Sequence, residues 1–131
     1  MSKRILVVED DLSTLRFLEY TLQQDGLEVL LAKNGLEGLK MAQTQHPDLI
    51  VLDIMLPGLD GYEVCNKLRQ KSDTANILIL MLSAKARQED KDMGMKMGAD
   101  AYLTKPVDPT EIINKVQSLL TGNGKVSYRE R

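Results

Sequence analysis

Short apolar runs alternate with longer amphipathic segments along this chain. Several of the runs are continuous rather than alternating, which is typical of parallel strands that are covered on both faces. The runs predicted as strands lie at residues 5–8, 29–32, 49–52, 77–82 and 101–103. The pattern predicts an α/β fold in which a β-α unit is repeated five times and right-handed crossovers place helices on both faces of the sheet.

Helical periodicity fills the intervals between these runs. The first helix carries four leucines at a spacing that predicts one buried face, namely Leu12, Leu15, Leu18 and Leu22. The fourth helix, at 88–97, has the weakest pattern because a glycine and scattered methionines blur its apolar face. Gly26 and Gly98 stand where helix ends favour left-handed backbone, and Asp108-Pro109 is typical of an N-cap followed by a first-turn proline.

Polar side chains follow four of the predicted strands. In open α/β sheets the functional site lies outside the carboxyl ends of the strands, where the strand order reverses. The residues at these ends are Glu9, Asp10 and Asp11 after the first strand, Asp53 after the third, Ser83 after the fourth and Lys105 after the fifth. We therefore expect carboxylates, a hydroxyl and an ammonium group to meet at one edge of the sheet.

These groups suit phosphoryl transfer, which needs positioning and charge neutralisation more than covalent help. The carboxylate of Asp53 can act as a nucleophile that forms an acyl phosphate. Carboxylate oxygens are the ligands that Mg²⁺ prefers. The Ser83 hydroxyl can donate to a phosphoryl oxygen, and Lys105 supplies a compact charge on a long stem.

Size, charge and cysteine content narrow the class of protein. The 131 residues fit one domain, and their 43% apolar content is enough for one core. The net charge of −2 gives no electrostatic reason to expect nucleic acid or an anionic membrane as a direct partner. Cys65 is the single cysteine, so a reducing, cytoplasmic location is expected. The first apolar run is too short for a signal peptide or a membrane span.

Four motifs in a fixed order resemble the receiver domain of bacterial two-component response regulators. They read VVEDD, LDIMLPGLDGYEVC, MLSAK and GADAYLTKP, and the resemblance covers roughly residues 3–121. It implies a flavodoxin-like (βα)5 three-layer sandwich with a parallel five-stranded sheet in the order 2-1-3-4-5. On this basis residues 1–121 are predicted to form the receiver domain and residues 122–131 a flexible tail or a truncated linker.

The resemblance also implies a ligand set and a phosphoacceptor. Asp53 would accept a phosphoryl group from a histidine kinase or a phosphotransfer protein. Glu9, Asp10, Asp53 and the backbone carbonyl of Met55 would hold Mg²⁺, for which Mn²⁺ can substitute. Asp10 would bind the metal directly and Glu9 through water. The domain would be no enzyme beyond catalysing its own phosphorylation and dephosphorylation.

A switch and an output face are implied as well. Ser83 and Lys105 would contact the phosphoryl group. As Ser83 moves towards the phosphoryl group, Tyr102 would turn inward into the space that Ser83 leaves. The fourth helix, fifth strand and fifth helix would then bind a downstream protein or effector. A monomer or a weak phosphorylation-dependent dimer is expected, because Asp100 is followed by Ala101 rather than by the second acid typical of dimeric winged-helix regulators.

Simpler interpretations of single residues stay open at this point. The acids at 9–11 could favour a helix N-terminus, Asp53 could be a turn residue, and Lys105-Pro106 could be a plain loop, although the family pattern predicts a cis bond there. An aspartyl-nucleophile phosphatase would want a second aspartate where Met55 stands. A plain flavodoxin-like binding module would need a phosphate-binding loop where the first acids lie.

Two further expectations concern lifetime and output. Neither Met55 nor Lys85, each two residues beyond a site residue, offers an acid or amide that could position an attacking water, so slow self-dephosphorylation is expected. The chain could act alone by protein contact, or it could be the receiver of a larger DNA-binding regulator or signalling enzyme.

Overall fold

Strands and helices alternate along the whole described part of the chain. The computed structural model describes residues 2–122, so the predicted tail lies, apart from Gly122, outside the described residues. The strands are β1 Arg4–Val8, β2 Glu28–Ala32, β3 Leu49–Leu52, β4 Leu78–Ser83 and β5 Ala101–Thr104. The helices are α1 Leu12–Gln24, α2 Gly35–Gln45, α3 Gly61–Gln70, α4 Gln88–Met97 and α5 Pro109–Leu120.

The five strands form one parallel sheet in the order β2-β1-β3-β4-β5, which confirms the predicted flavodoxin-like topology. The register places Val8 of β1 beside Ala32 on one side and Leu52 on the other. The strand order reverses at β1 and β3, so the residues that follow these two strands lie at the switch point of the sheet.

The sheet separates two apolar clusters, because successive side chains of a strand point to opposite faces. On one face, Ile5 and Val7 of β1 pack with buried residues of α1 and α5. On the other face, Leu6 and Val8 belong to a cluster with residues of α2 and α3 and with Met95 and Met97 of α4. The central strands are therefore covered on both sides, as their continuous apolar runs predict.

The structure differs from the prediction in the exposure of one helical residue and, by one residue at an end, in the bounds of β1, β2, β4 and β5. Leu12 was expected on the buried face of α1, but it is 55% exposed because it is the first residue of the helix and lies beyond the leucines that reach the sheet. The fourth strand begins at Leu78 and includes Ser83. Ile77 is excluded because its N–H donates to the Thr74 carbonyl at 3.2 Å in the preceding turn.

Helix ends follow the predicted local chemistry. Gly26 and Gly98 have φ values of +81° and +116°, in the region that glycine enters without strain. The Asp108 carboxylate accepts the Glu111 N–H at 2.8 Å, which confirms it as an N-cap. The weakly patterned α4 spans the predicted residues Gln88–Met97.

Gly61 lets the start of α3 approach the end of β3. A Cβ at this position would overlap the carbonyl oxygen of Asp53 and lie 2.7 Å from the Cα of Ile54. The Gly61 N–H also donates to the Ile54 carbonyl at 2.9 Å. The loop that follows Asp53 is thus held against the strand by a contact that has no room for a side chain.

We expect Gly61→Ala to lower the free energy of unfolding by about 2 kcal/mol or more, because backbone atoms must move to admit the methyl group. Gly26→Ala is the matched control. Its Cβ would meet nothing within 4 Å, so the cost comes from the positive φ alone, about 1 kcal/mol. Urea unfolding measures both, and an equal loss in the two variants would contradict the packing argument.

Candidate functional site

The carboxyl ends of β1 and β3 bring three acids together. Each of Glu9, Asp10 and Asp53 offers a carboxylate oxygen, and these atoms all lie within 4.8 Å of one another. The ladder extends one residue past each strand: the Glu9 N–H donates to Ala32 at 3.0 Å and the Asp53 N–H to Val8 at 3.1 Å. Glu9 and Asp53 are 2% and 6% exposed, whereas Asp10 is exposed. The sheet itself therefore fixes two of the acids.

Asp11 caps a helix and does not belong to the acidic cluster that Glu9 and Asp10 form with Asp53. Its carboxylate accepts the Thr14 N–H at 2.9 Å and the Thr14 hydroxyl at 2.8 Å, which makes it the N-cap of α1. These hydrogen bonds lower the pKa of Asp11. The helix-terminus interpretation of the acidic run is thus correct for Asp11, while Glu9 and Asp10 join the cluster.

Lys105 bridges the two buried acids. Its Nζ lies 2.6 Å from Glu9 Oε1 and 3.1 Å from Asp53 Oδ2. The Lys105 N–H donates to the Ser83 carbonyl at 2.9 Å, and the Lys105–Pro106 bond is cis, as the family pattern predicts. The strand ends predict that Lys105 meets the acids at this edge, but no sequence signal indicates that Glu9 rather than Asp53 is its nearer partner.

Burial and charge act against each other in this cluster. Burial raises the pKa of Glu9, and the charge of Asp53 adds to that rise, although the hydrogen bond from Lys105 acts in the opposite direction. Burial also opposes the charge on Lys105. The hydrogen bond to Glu9 and the charge of Asp53 outweigh it, so the pKa of Lys105 lies above its usual value. The ammonium group is therefore firmly charged between the two acids.

Backbone and side-chain donors orient the Asp53 carboxylate. The Met55 N–H lies 3.3 Å from Oδ1, and Lys105 binds Oδ2. The Met55 side chain is 58% exposed. Both oxygens thus have a neighbour on the protein side, which fixes the plane of the carboxylate.

Ser83 and Tyr102 both form hydrogen bonds with the backbone of Lys85. The buried Ser83 Oγ accepts the Lys85 N–H at 3.3 Å, and the Tyr102 hydroxyl donates to the Lys85 carbonyl at 2.7 Å. The half-buried ring of Tyr102 packs against α4, where a Cβ at Gly94 would lie 3.0 Å from the ring. The structure therefore connects both predicted switch residues to the loop between β4 and α4, with the ring already packed under the helix.

Asp100 lies inside the protein. It is 0% exposed, its carboxylate is 3.0 Å from Nη2 of Arg69, and it accepts the Ile79 N–H at 2.9 Å. This acid was considered above as half of a dimer contact, but its buried position keeps it from the surface of a partner. Arg69 was missed in the sequence because its partner is 31 residues away.

The donor set of the acidic cluster fits Mg²⁺. Glu9, Asp10 and Asp53 offer oxygen atoms, which a small hard cation prefers, and an exposed carboxylate at Asp10 leaves space for water ligands.

Among residues 2–122, no helix combines the length and apolar character needed to span a membrane.

Fold and site together define a flavodoxin-like α/β domain with a cluster of three acids at its switch point. Residues 5–117 match the family model described as the response regulator receiver domain. The chain belongs to this family.

Relatives of known name agree with the family match. The chain is 49% identical over 120 residues to the alkaline phosphatase synthesis transcriptional regulatory protein PhoP of Bacillus subtilis, covering 92% of this chain and 49% of that protein. It is 41% identical over 123 residues to the DNA-binding dual master transcriptional regulator RpaA of Synechocystis, covering 94% and 51%. The chain thus spans about half the length of these curated relatives.

A solved structure agrees with the architecture. A putative response regulator from Chloroflexus aurantiacus is 36% identical and superimposes with a TM-score of 0.89, covering 92% of this chain and 99% of that one. The flavodoxin-like receiver fold is thus shared across nearly the whole length of both chains.

The burial of Tyr102 can be measured directly. Burial raises the pKa of Tyr102 to about 12 from an ordinary value of 10.0. The folded state keeps this proton to higher pH than the unfolded chain, so this contribution to the free energy of unfolding is complete below pH 10 and falls as the pH rises towards 12. We expect the phenolate absorbance of wild type and Tyr102→Phe to coincide at pH 10.5 and to diverge only near pH 12.

Proposed function

We propose that Asp53 is the phosphoacceptor of this receiver domain and that a histidine kinase or phosphotransfer protein is its donor. The observation that carries the proposal is the position of the Asp53 carboxylate. It lies at the tip of a buried strand, with Lys105 at 3.1 Å and two further acids close by. A rigid nucleophile, a fixed cation and a cluster of oxygen ligands are what phosphoryl transfer requires.

The proposed phosphoryl transfer needs no reactant other than Asp53 and the phosphohistidine of the donor. A carboxylate oxygen of Asp53 attacks the phosphorus of a phosphohistidine, so a P–O bond forms as the P–N bond breaks. The imidazole leaves with the electron pair and takes up a proton, and the product is an acyl phosphate. Lys105 lies where it can donate to a phosphoryl oxygen, and the Met55 N–H holds the carboxylate in place.

Glu9, Asp10, Asp53 and the Met55 carbonyl are the residues proposed to hold Mg²⁺. When bound, the ion supplies positive charge to the oxygens of the transferring phosphoryl group. Lys105 then has to share Glu9 and Asp53 with a second cation. The longer side chain of Glu9, compared with the more usual aspartate, reaches Lys105 at 2.6 Å. We propose that this contact holds the ammonium group ready for the phosphoryl group.

The switch is proposed to run through Lys85. Ser83 and Tyr102 both bind its backbone, one at the N–H and the other at the carbonyl. If the Ser83 hydroxyl turns to a phosphoryl oxygen, it gives up the Lys85 N–H, and the loop is then held through the Lys85 carbonyl by Tyr102, whose ring is turned inward. A local change of hydrogen bonds would thus alter the face formed by α4, β5 and α5.

The output is proposed to be transcriptional. The curated relatives at 41% and 49% identity carry the names of transcriptional regulators. We propose that the face of α4, β5 and α5 reports to a DNA-binding effector, while the receiver itself contacts protein.

Phosphoryl uptake tests the acceptor. We expect wild type incubated with acetyl phosphate and Mg²⁺ to gain the mass of one phosphoryl group, and we expect Asp53→Asn to gain none because an amide is no nucleophile here. Intact-mass spectrometry measures the adduct, with EDTA as the metal-free arm. Asp11→Asn is the matched control: it changes a carboxylate at the same edge, and asparagine caps a helix as well as aspartate does. An equal adduct on Asp53→Asn would refute the assignment.

The lifetime of the phosphorylated form tests the surroundings of the acceptor. Met55 is exposed beside Asp53 and has no group that can position water. We expect a lifetime of minutes or longer, and we expect Met55→Asn to shorten it by about tenfold because an amide can orient the attacking water. Met55→Leu serves as the control that keeps an apolar side chain. A wild-type lifetime of seconds would contradict this account.

A further inference from the structure

One face of α3 holds both ends of α4. Tyr62, Cys65 and Arg69 are spaced by three and four residues, so they form a single stripe on the helix, called here the α3 stripe. The Tyr62 hydroxyl donates to the Asp90 carbonyl at 3.1 Å in the first turn of α4. Cys65 Sγ and Arg69 Nε donate to the carbonyls of residues 97 and 98 at 3.4 Å and 2.9 Å. The last carbonyls of a helix need such external donors.

The C-terminal end of α4 is held by a charged side chain that is 13% exposed. Besides Gly98, Arg69 donates to the carbonyls of Ala75 at 3.0 Å and Ile77 at 2.6 Å, and it pairs with the buried Asp100. A Cβ at Gly98 would lie 2.7 Å from Arg69 Cγ, so the chain passes close against the arginine stem. Hydrogen bonds from a charged donor are roughly twice as strong as neutral ones.

The N-terminal end is held more weakly. Two neutral hydroxyl groups bind this end and the loop before it: Tyr62 binds the Asp90 carbonyl, and Tyr102 binds the Lys85 carbonyl at 2.7 Å. Breaking either hydrogen bond leaves no charged group without its partner. The residues at 88 and 89, which begin the helix, are exposed. The two ends of α4 therefore differ in how much free energy their displacement costs.

We infer that α4 pivots about its C-terminal end at Gly98 and that Tyr62 is a positioning residue of the switch. Tyr62 holds the first turn of α4 in the arrangement in which Tyr102 binds Lys85. In the proposed function this is the arrangement with the ring turned inward, which a phosphoryl group on Asp53 stabilises. The role of Tyr62 in signalling rests on that proposed function, whereas the difference between the two ends of α4 does not.

Tyr62→Phe removes the hydroxyl and leaves the ring, so it tests the bond with little change in packing. We expect its affinity for beryllofluoride, a mimic of a phosphoryl group, to fall roughly fivefold at saturating Mg²⁺. Titration calorimetry measures this, and the urea midpoint shows whether global stability has changed. Tyr20→Phe is the matched control, because Tyr20 is 65% exposed on α1. An affinity equal to or higher than that of wild type, or an equal loss in both variants, would overturn the role of Tyr62.

Hydrogen exchange tests the pivot without any ligand. In Tyr62→Phe we expect amides in the first turn of α4 to exchange roughly fivefold faster, while amides near Gly98 keep the wild-type rate. Uniformly faster exchange along α4, or a change confined to its C-terminal end, would refute the pivot. If wild type fails to bind beryllofluoride, the proposed function fails, and the exchange rates still decide how α4 is held.

Discussion

The site depends on one ammonium group placed between two buried carboxylates. A parallel sheet delivers its strand ends to one edge, so the acids that follow β1 and β3 are forced close together, and their mutual repulsion would destabilise the fold. Lys105 offsets that repulsion at 2.6 Å and 3.1 Å from Glu9 and Asp53. The cation that stabilises the acidic cluster is also the group proposed to bind a phosphoryl oxygen. Stability and the proposed function therefore depend on the same side chain.

Much of this arrangement could be predicted because its signals are local. The continuous apolar run at Leu49–Leu52 indicates a strand covered on both faces, and the polar residue after it must then lie at the sheet edge. What could not be predicted is which distant residues pair with each other and how exposed a residue at a helix start is. The contact of Lys105 with Glu9 joins residues 96 apart, and the pair of Arg69 with Asp100 joins residues 31 apart. Leu12 fits the apolar spacing of α1, yet its place at the very start of the helix leaves it exposed.

The loop between β4 and α4 joins the proposed phosphorylation site to the proposed output face. Its residue Lys85 accepts and donates hydrogen bonds through its backbone, so the identity of its side chain matters little to the connection between Ser83 and Tyr102. A backbone link of this kind tolerates substitution at Lys85 while remaining sensitive to changes in loop length. The fixed distance between β4 and α4 is therefore a stronger requirement for signalling than the composition of the loop.

The three consecutive acids after β1 have three separate tasks. Glu9 is held by the ladder and by Lys105, and Asp11 is committed to capping α1. Asp10 is the exposed member of the run. Asp10 is thus the one acid of the proposed metal site that an engineer could exchange at low cost to folding. Inserting a residue between Glu9 and Asp11 would move the N-cap away from the ladder residue that precedes it.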